Sequence, residues 1–236
     1  MSLLIAWKKG GSSRAPEGKA VKGATPAHAD SKEKKNLTRR LVELCCGESS
    51  TLGNSTRWTK GCIVTRITLD DDFASDEGLW KALEAVRQGG RNVLVWVSIP
   101  CVGGSVLQYA NAHHPGARRR MQRHYSLFRK LWRNACIVIE QALGQGGDAA
   151  IEWPTSCAYW RLRFVKKFLE KHGFGVAKFH GCAFGLMDLK GQGLCLKPWT
   201  VATTISSLST ALSLSLIHIS EPTRPLYISY AVFCLK

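Results

Sequence analysis

The chain has 236 residues, with 33 Lys or Arg against 17 Asp or Glu, a formal net charge of +16, and 45% hydrophobic residues. That supply of apolar side chains excludes a wholly disordered chain, and no window reads as a membrane span. A balance this basic points to a polyanionic partner such as DNA or RNA.

In chain order, residues 1–36 come first, with KKGGSSRAPEGKAVKGATPAHADSKEKK at their centre and almost no apolar period. They are expected to form a basic, disordered arm or a piece of upstream polyprotein. LTRRLVELCCG (37–47) ends in a strand and a glycine, and β-branched CIVTRITL (62–69) reads as a second strand. GLWKALEAVRQGG (78–90) is a helix closed by glycine, followed by NVLVWVSIP (92–100), an apolar run of the kind found inside a parallel sheet. The spacing of Met121, Tyr125, Phe128, Trp132, Ala135, Ile139 and Ala142 by threes and fours predicts a long helix over 115–147. A strand DAAIEWP (148–154), a helix over 156–173 and two final strands, FGVAKFHG and PWTVATT, complete the expected domain at 37–205. Residues 206–213 carry no decisive pattern.

From residue 214 the chain reads LSLIHISEPTR, then PLY, then ISYAVFCLK. The two flanking stretches translate a transposon-type sequencing adapter in order and in frame, so 214–236 is expected to be a non-native tail. It holds two basic residues and one acidic one, so setting it aside leaves a net charge of +15. Eight of the nine cysteines precede it, with no CxxC or CxxxC pair, so no metal site is expected. The opening MSLLIAWK is too short an apolar run for a signal peptide. Reduced thiols and an intracellular location, the nucleus included, follow as expectations.

The alternation of strands and helices predicts a three-layer, Rossmann-like, doubly wound sheet, whose ligands sit beyond the C-terminal strand ends. Three segments fall at that edge. ELCCGESSTLG (43–53) brings Glu43, Cys46 and Gly47, where glycine either lets a ligand approach the backbone or makes a tight turn. LDDD (69–72) offers Asp70 and Asp71 as acceptors for ribose hydroxyls, or as a solvated charge run. SIPCVGGS (98–105) presents Cys101 behind Pro100, either as a nucleophile or as a small packing residue, and the glycines favour a loop. IEWP places Glu152 at the end of a further strand.

These segments resemble motifs of class I S-adenosylmethionine-dependent methyltransferases. ELCCG is similar to motif I in the (D/E)xxCG form of cytosine-5 DNA methyltransferases, SIPC to their motif IV, and IEWP stands where they have ENV. LCCGESSTLG, WVSIPCVGGS, HPGARRRMQRHYSLFRKLW, IEWPTSCAYWRLRFVKKFLEKHG, FHGCAFGL and KPWTVAT also resemble methyltransferase-like segments repeated in dinoflagellate genomes, some in retroelement-type polyproteins. The resemblance implies a class I methyltransferase sheet and S-adenosylmethionine as cofactor, held by Glu43, Cys46, Gly47, Asp70, Asp71 and Pro100. It also implies Cys101 as nucleophile on cytosine carbon 6 and Glu152 as the acid at N3. The chain departs from the pattern in lacking a Q-x-R-x-R segment, for which Lys197 is the one stand-in, and a target-recognition domain. No DPPY-like segment is present, which disfavours amino-nitrogen methylation.

Arg118, Arg119, Arg120, Arg123, Lys130 and Arg133 on one expected helix, with Arg161, Arg163, Lys166 and Lys167 on the next, either track a phosphate backbone or solvate outward faces. Two readings follow. One is a methyltransferase-like domain acting on nucleic acid, and the alternative is a catalytically inactive nucleic-acid-binding remnant of a mobile element.

Overall fold

The computed structural model describes residues 38–54, 59–110, 113–188, 191 and 193–213, so the arm at 1–36 and the tail at 214–236 lie outside the described residues. Six strands form one sheet: β1 Arg40–Leu44, β2 Ile63–Ile67, β3 Val93–Val97, β4 Asp148–Pro154, β5 Gly175–His180 and β6 Pro198–Thr203. The order across the sheet is β2-β1-β3-β4-β6-β5. The first four strands run parallel, and β6 is antiparallel to both β4 and β5. All five residues of VLVWV are buried, as a central strand covered on both faces requires. Among the described residues five helices accompany the sheet: α1 Asp76–Gly89, α2 Val106–Ala110, α3 Ala117–Gly144, α4 Arg163–Lys171 and α5 Ser206–Ser213.

Connectivity decides which face each helix covers. The crossovers from β2 to β3, β3 to β4 and β4 to β5 all step the same way across the sheet, so right-handed connections put α1, α3 and α4 on one face. Ala82, Val86, Phe128, Trp132, Ile139, Val165 and Phe168 from these helices share one buried cluster with Val95, Val97, Ile151 and Trp153. The β1 to β2 connection steps the other way and crosses the opposite face. Among its described residues it forms turns rather than a helix. That face is covered by Leu52 of this connection and by Leu208 and Leu212 of α5, packed on Leu41, Leu94, Trp96, Ala150 and Val201. The result is a Rossmann-like α/β sheet with strongly unequal helical layers.

Local chemistry explains the element ends. The Ser75 hydroxyl accepts from the Gly78 amide at 3.1 Å, and Asp76 and Glu77 sit in the first turn where the helix dipole favours acid. A side chain at Gly78 would place its Cβ 2.4 Å from the carbonyl oxygens of Asp71 and Asp72, so only glycine lets α1 start this close to the turn after β2. The Asn134 amide, buried on α3, donates to the Phe73 carbonyl at 2.8 Å and locks α3 to the same turn. α3 begins after Pro115 and Gly116, the latter at φ +75°, and ends at Gly144, slightly inside the expected span.

Two segments differ from the sequence expectation. The helix expected over 156–173 is regular only from Arg163. Cys157 and Leu162 take extended backbone around a 3-10 turn at Ala158–Arg161, because Cys157 and Tyr159 are drawn into the core. Residues 206–213, patternless in the sequence, form α5 with Leu208 and Leu212 each 1% exposed. Among the described residues no helix is long and apolar enough to cross a membrane.

Candidate functional site

The strand order turns at β1. The chain leaves β1 toward β2 on one side and returns to β3 on the other, so the loops after β1 and β3 diverge over the C-terminal edge. Such a divergence is where open α/β sheets take ligands. The Ser98 amide donates to the Leu44 carbonyl at 3.0 Å, which carries the β1–β3 pairing just past the strand ends.

On the β1 side, Cys45 takes a left-handed φ of 59°, which swings the chain off the sheet. Its thiol packs against the helical-layer core, and burial with Cys46 beside it pushes it up to about 12. The Cys46 thiol donates to the Glu43 carbonyl at 3.7 Å, and burial, reinforced by the Glu43 charge, raises it to about 11. Neither is a thiolate near neutral pH. Gly47 is exposed, and a Cβ built there meets nothing within 4 Å, so the backbone is open to close approach. Glu43 is 1% exposed and lies 3.8 Å from the Arg66 Nε, with its Oε1 lacking a hydrogen-bond partner. A Cβ at Gly53 would come within 3.1 Å of that oxygen, so the loop itself seals the carboxylate.

After β2, the Asp71 carboxylate accepts from the Thr68 amide at 2.8 Å, from the Thr68 hydroxyl, and from Lys81. Burial alone would raise its pKa, but the Lys81 and Thr68 donors outweigh it and hold the carboxyl below its ordinary value. Asp71 is thus engaged in closing the turn, while the neighbouring Asp70 is exposed.

After β3, Pro100 is exposed and Cys101 half-buried against the helical-layer core. Cys101 is followed by a 3-10 turn, Val102–Gly104. Glu152 faces the other way, on the α5 side of the sheet, where the Ser98 hydroxyl donates to its Oε1 at 2.8 Å. Burial raises the Glu152 pKa despite the Ser98 and Trp96 donors and the charge of Lys197. Lys197 is 9% exposed and sits 4.3 Å over the Trp199 ring. The ends of β3 and β4 therefore stand between Cys101 and Glu152, which flank the edge from opposite faces.

The raised carboxyl has a thermodynamic signature. The folded state holds the Glu152 proton above the pH at which the unfolded chain releases it, so this group's contribution to stability falls as pH rises through that window. Glu152→Gln cannot ionise, so its thermal midpoint is expected to decline less than wild type between pH 4 and pH 8. Parallel declines in a melting series would contradict the raised pKa.

Arg118, Arg119 and Arg123 on α3, Arg161 in the turn after β4, and Lys166 on α4 are all exposed. α3 starts at the same edge as Cys101, since a Cβ at Gly103 would lie 2.9 Å from the His124 Cβ. The first turn of α3 contains no acidic residue and three arginines, the arrangement the helix dipole disfavours by about 0.3–1 kcal/mol per charge. Sequence reasoning passed over Arg129, exposed on the same helix, and over Ser98 and Trp96 as partners of Glu152. No local signal marks these two, because they meet Glu152 only through strand pairing.

No disulfide joins any of the eight described cysteines, and the described residues hold no group of three or more potential metal ligands. A scan against protein-family models finds no match, and searches of the curated proteins and the solved structures find none either.

Proposed function

We propose that this domain is a methyltransferase-like nucleic-acid enzyme that uses S-adenosylmethionine and acts on cytosine carbon 5 through Cys101. The observation carrying the reading is convergence. The open Gly47, the exposed Asp70, the Cys101 turn and the basic start of α3 all fall at one sheet edge, at its topological switch. A sheet parallel through β4, with a reversed β6 inserted beside β5, is compatible with the class I methyltransferase type.

The residues present fit the cofactor in part. Gly47 leaves room beside the backbone and Asp70 offers a free-standing carboxylate position, whereas Asp71 is engaged and Glu43 sealed. When bound, S-adenosylmethionine supplies an electrophilic methyl group. The Cys101 thiolate would add to carbon 6 of cytosine, forming the C–S bond and moving the ring electrons onto carbon 5. Glu152, whose pKa burial raises, would in its protonated form donate at N3 and reduce the charge that develops on the ring. With S-adenosylhomocysteine as the departing product of methyl transfer, loss of the carbon 5 proton to water would expel the thiolate, and return of the N3 proton to Glu152 would restore the ring. The arginines at the edge would hold the phosphates.

The alternative, a nucleic-acid-binding remnant without catalysis, is favoured by one specific feature. The Asp71 carboxylate is bonded to Thr68 and Lys81, and the Glu43 carboxylate is buried beneath the loop. Incubating the full chain with methyl-labelled S-adenosylmethionine and cytosine-containing DNA or RNA separates the two. Label in 5-methylcytosine supports the enzyme, and salt-sensitive binding without label selects the remnant.

Charge reversal at the edge gives a second test. Replacing Arg118 and Arg119 by Glu is expected to lower the slope of log K against log salt by about 0.9 per lost duplex phosphate contact. The same change should leave α3 as stable or more so, because acid replaces base at the helix start. An unchanged salt slope would place the nucleic acid elsewhere.

A further inference from the structure

α3 and α4 lie side by side on the sheet, and their side chains meet along one seam. The Phe128 and Phe164 rings are 6.2 Å apart and those of Trp132 and Phe168 5.5 Å, and Glu140 accepts from the Lys171 Nζ at 2.8 Å. These contacts advance together along both segments, so the two helices point the same way. On α3 the seam steps by four, through Phe128, Trp132 and Glu140. Arg129 and Arg133 each stand one position beyond a seam residue, about 100° further around the helix, and both are exposed. On α4, Arg163 and Lys167 each stand one position before Phe164 and Phe168, and both are exposed as well. For helices running in the same direction, these offsets place all four cations on the outward rim of the seam.

Phe164 lies between the two rows with 40% of its surface exposed, backed by the buried Phe128. α3 carries no acidic residue before Glu140, and α4 none before Glu170. The rim cations therefore repel one another across the seam with no carboxylate interleaved among them. An open ring between rows of cations suits an unpaired nucleic-acid strand, whose bases stack on the ring while its phosphates meet the charges. In a duplex both faces of each base are already covered by neighbouring bases, so the ring has nothing to stack on. The Phe128 end of the seam abuts the Cys101 turn. Tyr159 stacks on Phe128 at 3.6 Å, and a Cβ at Gly103 would lie 2.6 Å from the Tyr159 hydroxyl oxygen. A strand held in the seam is thereby led to the sheet edge.

We propose that the α3–α4 seam binds single-stranded nucleic acid, with a base stacked on Phe164 and phosphates held by Arg129, Arg133, Arg163 and Lys167. This deepens the nucleic-acid reading by naming an unpaired strand as the substrate. It rests on that reading's choice of partner, and not on Cys101 or the cofactor.

The test is fluorescence anisotropy of short labelled DNA and RNA strands with the full chain and no cofactor, beside the duplexes of the same sequence. Phe164→Leu keeps an apolar side chain against Phe128 and removes the ring face. Single-strand affinity should fall about tenfold, within the range of one base–aromatic stack, while duplex affinity changes less than about twofold. Phe164→Trp should restore the single-strand affinity. Arg129→Gln combined with Lys167→Gln, both at exposed positions, should lower the slope of log K against log salt by about 0.7 per lost single-strand phosphate contact. A Phe164 effect on DNA alone or on RNA alone supports the seam and names the strand it takes. Equal single-strand affinity in Phe164→Leu and wild type overturns the proposal, as does an equal loss for strand and duplex, or a salt slope unmoved by the rim substitutions. Phe164-dependent strand binding without any methyl label would sink the enzyme and leave the seam. Methyl label entering duplex cytosine equally in wild type and Phe164→Leu would sink the seam and leave the enzyme, so the two failures are distinguishable.

Discussion

Cys101→Ser is expected to reduce methyl transfer by ~10⁴-fold or more, since removing a covalent nucleophile leaves only binding and orientation to act. Serine fills nearly the same space, and Cys101 is only half-buried, so the fold should persist. Binding of nucleic acid should change little, because the charges at the edge are untouched. The pattern to look for is a lost rate with retained affinity, measured as label transfer beside a filter-binding titration. Equal transfer rates for the two proteins would remove the covalent step and return Cys101 to a packing role.

The second large effect concerns the platform beneath that turn. Phe128 is 1% exposed and contacts the rings of Trp132, Trp153, Tyr159 and Phe164 at centroid distances from 3.6 to 6.2 Å. Truncating it to alanine removes the stacking partner of Tyr159 and opens a cavity between α3 and the sheet. Such a change costs about 3–5 kcal/mol, or roughly 10 °C in melting temperature for a domain of this size. The loss should reach the edge as well, loosening the 102–104 turn that rests on Tyr159. A melting shift below ~2 °C, under about 1 kcal/mol at this size, would show that the aromatic cluster does not bear on stability as its packing indicates.

Much of the parallel sheet is legible in the sequence because its strands are continuous β-branched and apolar runs between turn residues. VLVWV in β3 and DAAIEWP in β4 fall where the pattern puts them. The start of α4 is not legible. YWRLRF keeps a helical apolar spacing through 159–164, while the contacts that bend it belong to Gly104 and Phe128, distant in sequence. α5 escapes notice because SSLSTALS offers little polar contrast, and its two leucines become meaningful only against Leu94 and Trp96. The described part of the connection after β1 forms turns, which is legible, since GESSTLG has turn chemistry and no apolar period.

The candidate site divides similarly. Pro100, Cys101 and the two glycines announce a loop at a strand end, and the structure has a turn there. The spacing could not show that Asp71 would be engaged by Thr68 and Lys81, or that the Glu43 side chain would lie beneath the loop. Nor could it show that Cys101 and Glu152 face opposite sides of the sheet. Period-two alternation predicts the face of Glu152 from Trp153, but the direction taken by Cys101 depends on a turn outside any period. A planar base would have to lie across the edge to meet both groups.

Everything proposed for the edge depends on a cofactor being held there. The most direct measurement is a calorimetric titration of S-adenosylmethionine into the full chain, repeated with Asp70→Ala and Gly47→Val. The account predicts saturable binding in the micromolar range, weakened at least about tenfold by either substitution, a loss of about 1.4 kcal/mol. A folded chain that takes up no S-adenosylmethionine, or binds it equally well in both variants, would contradict it.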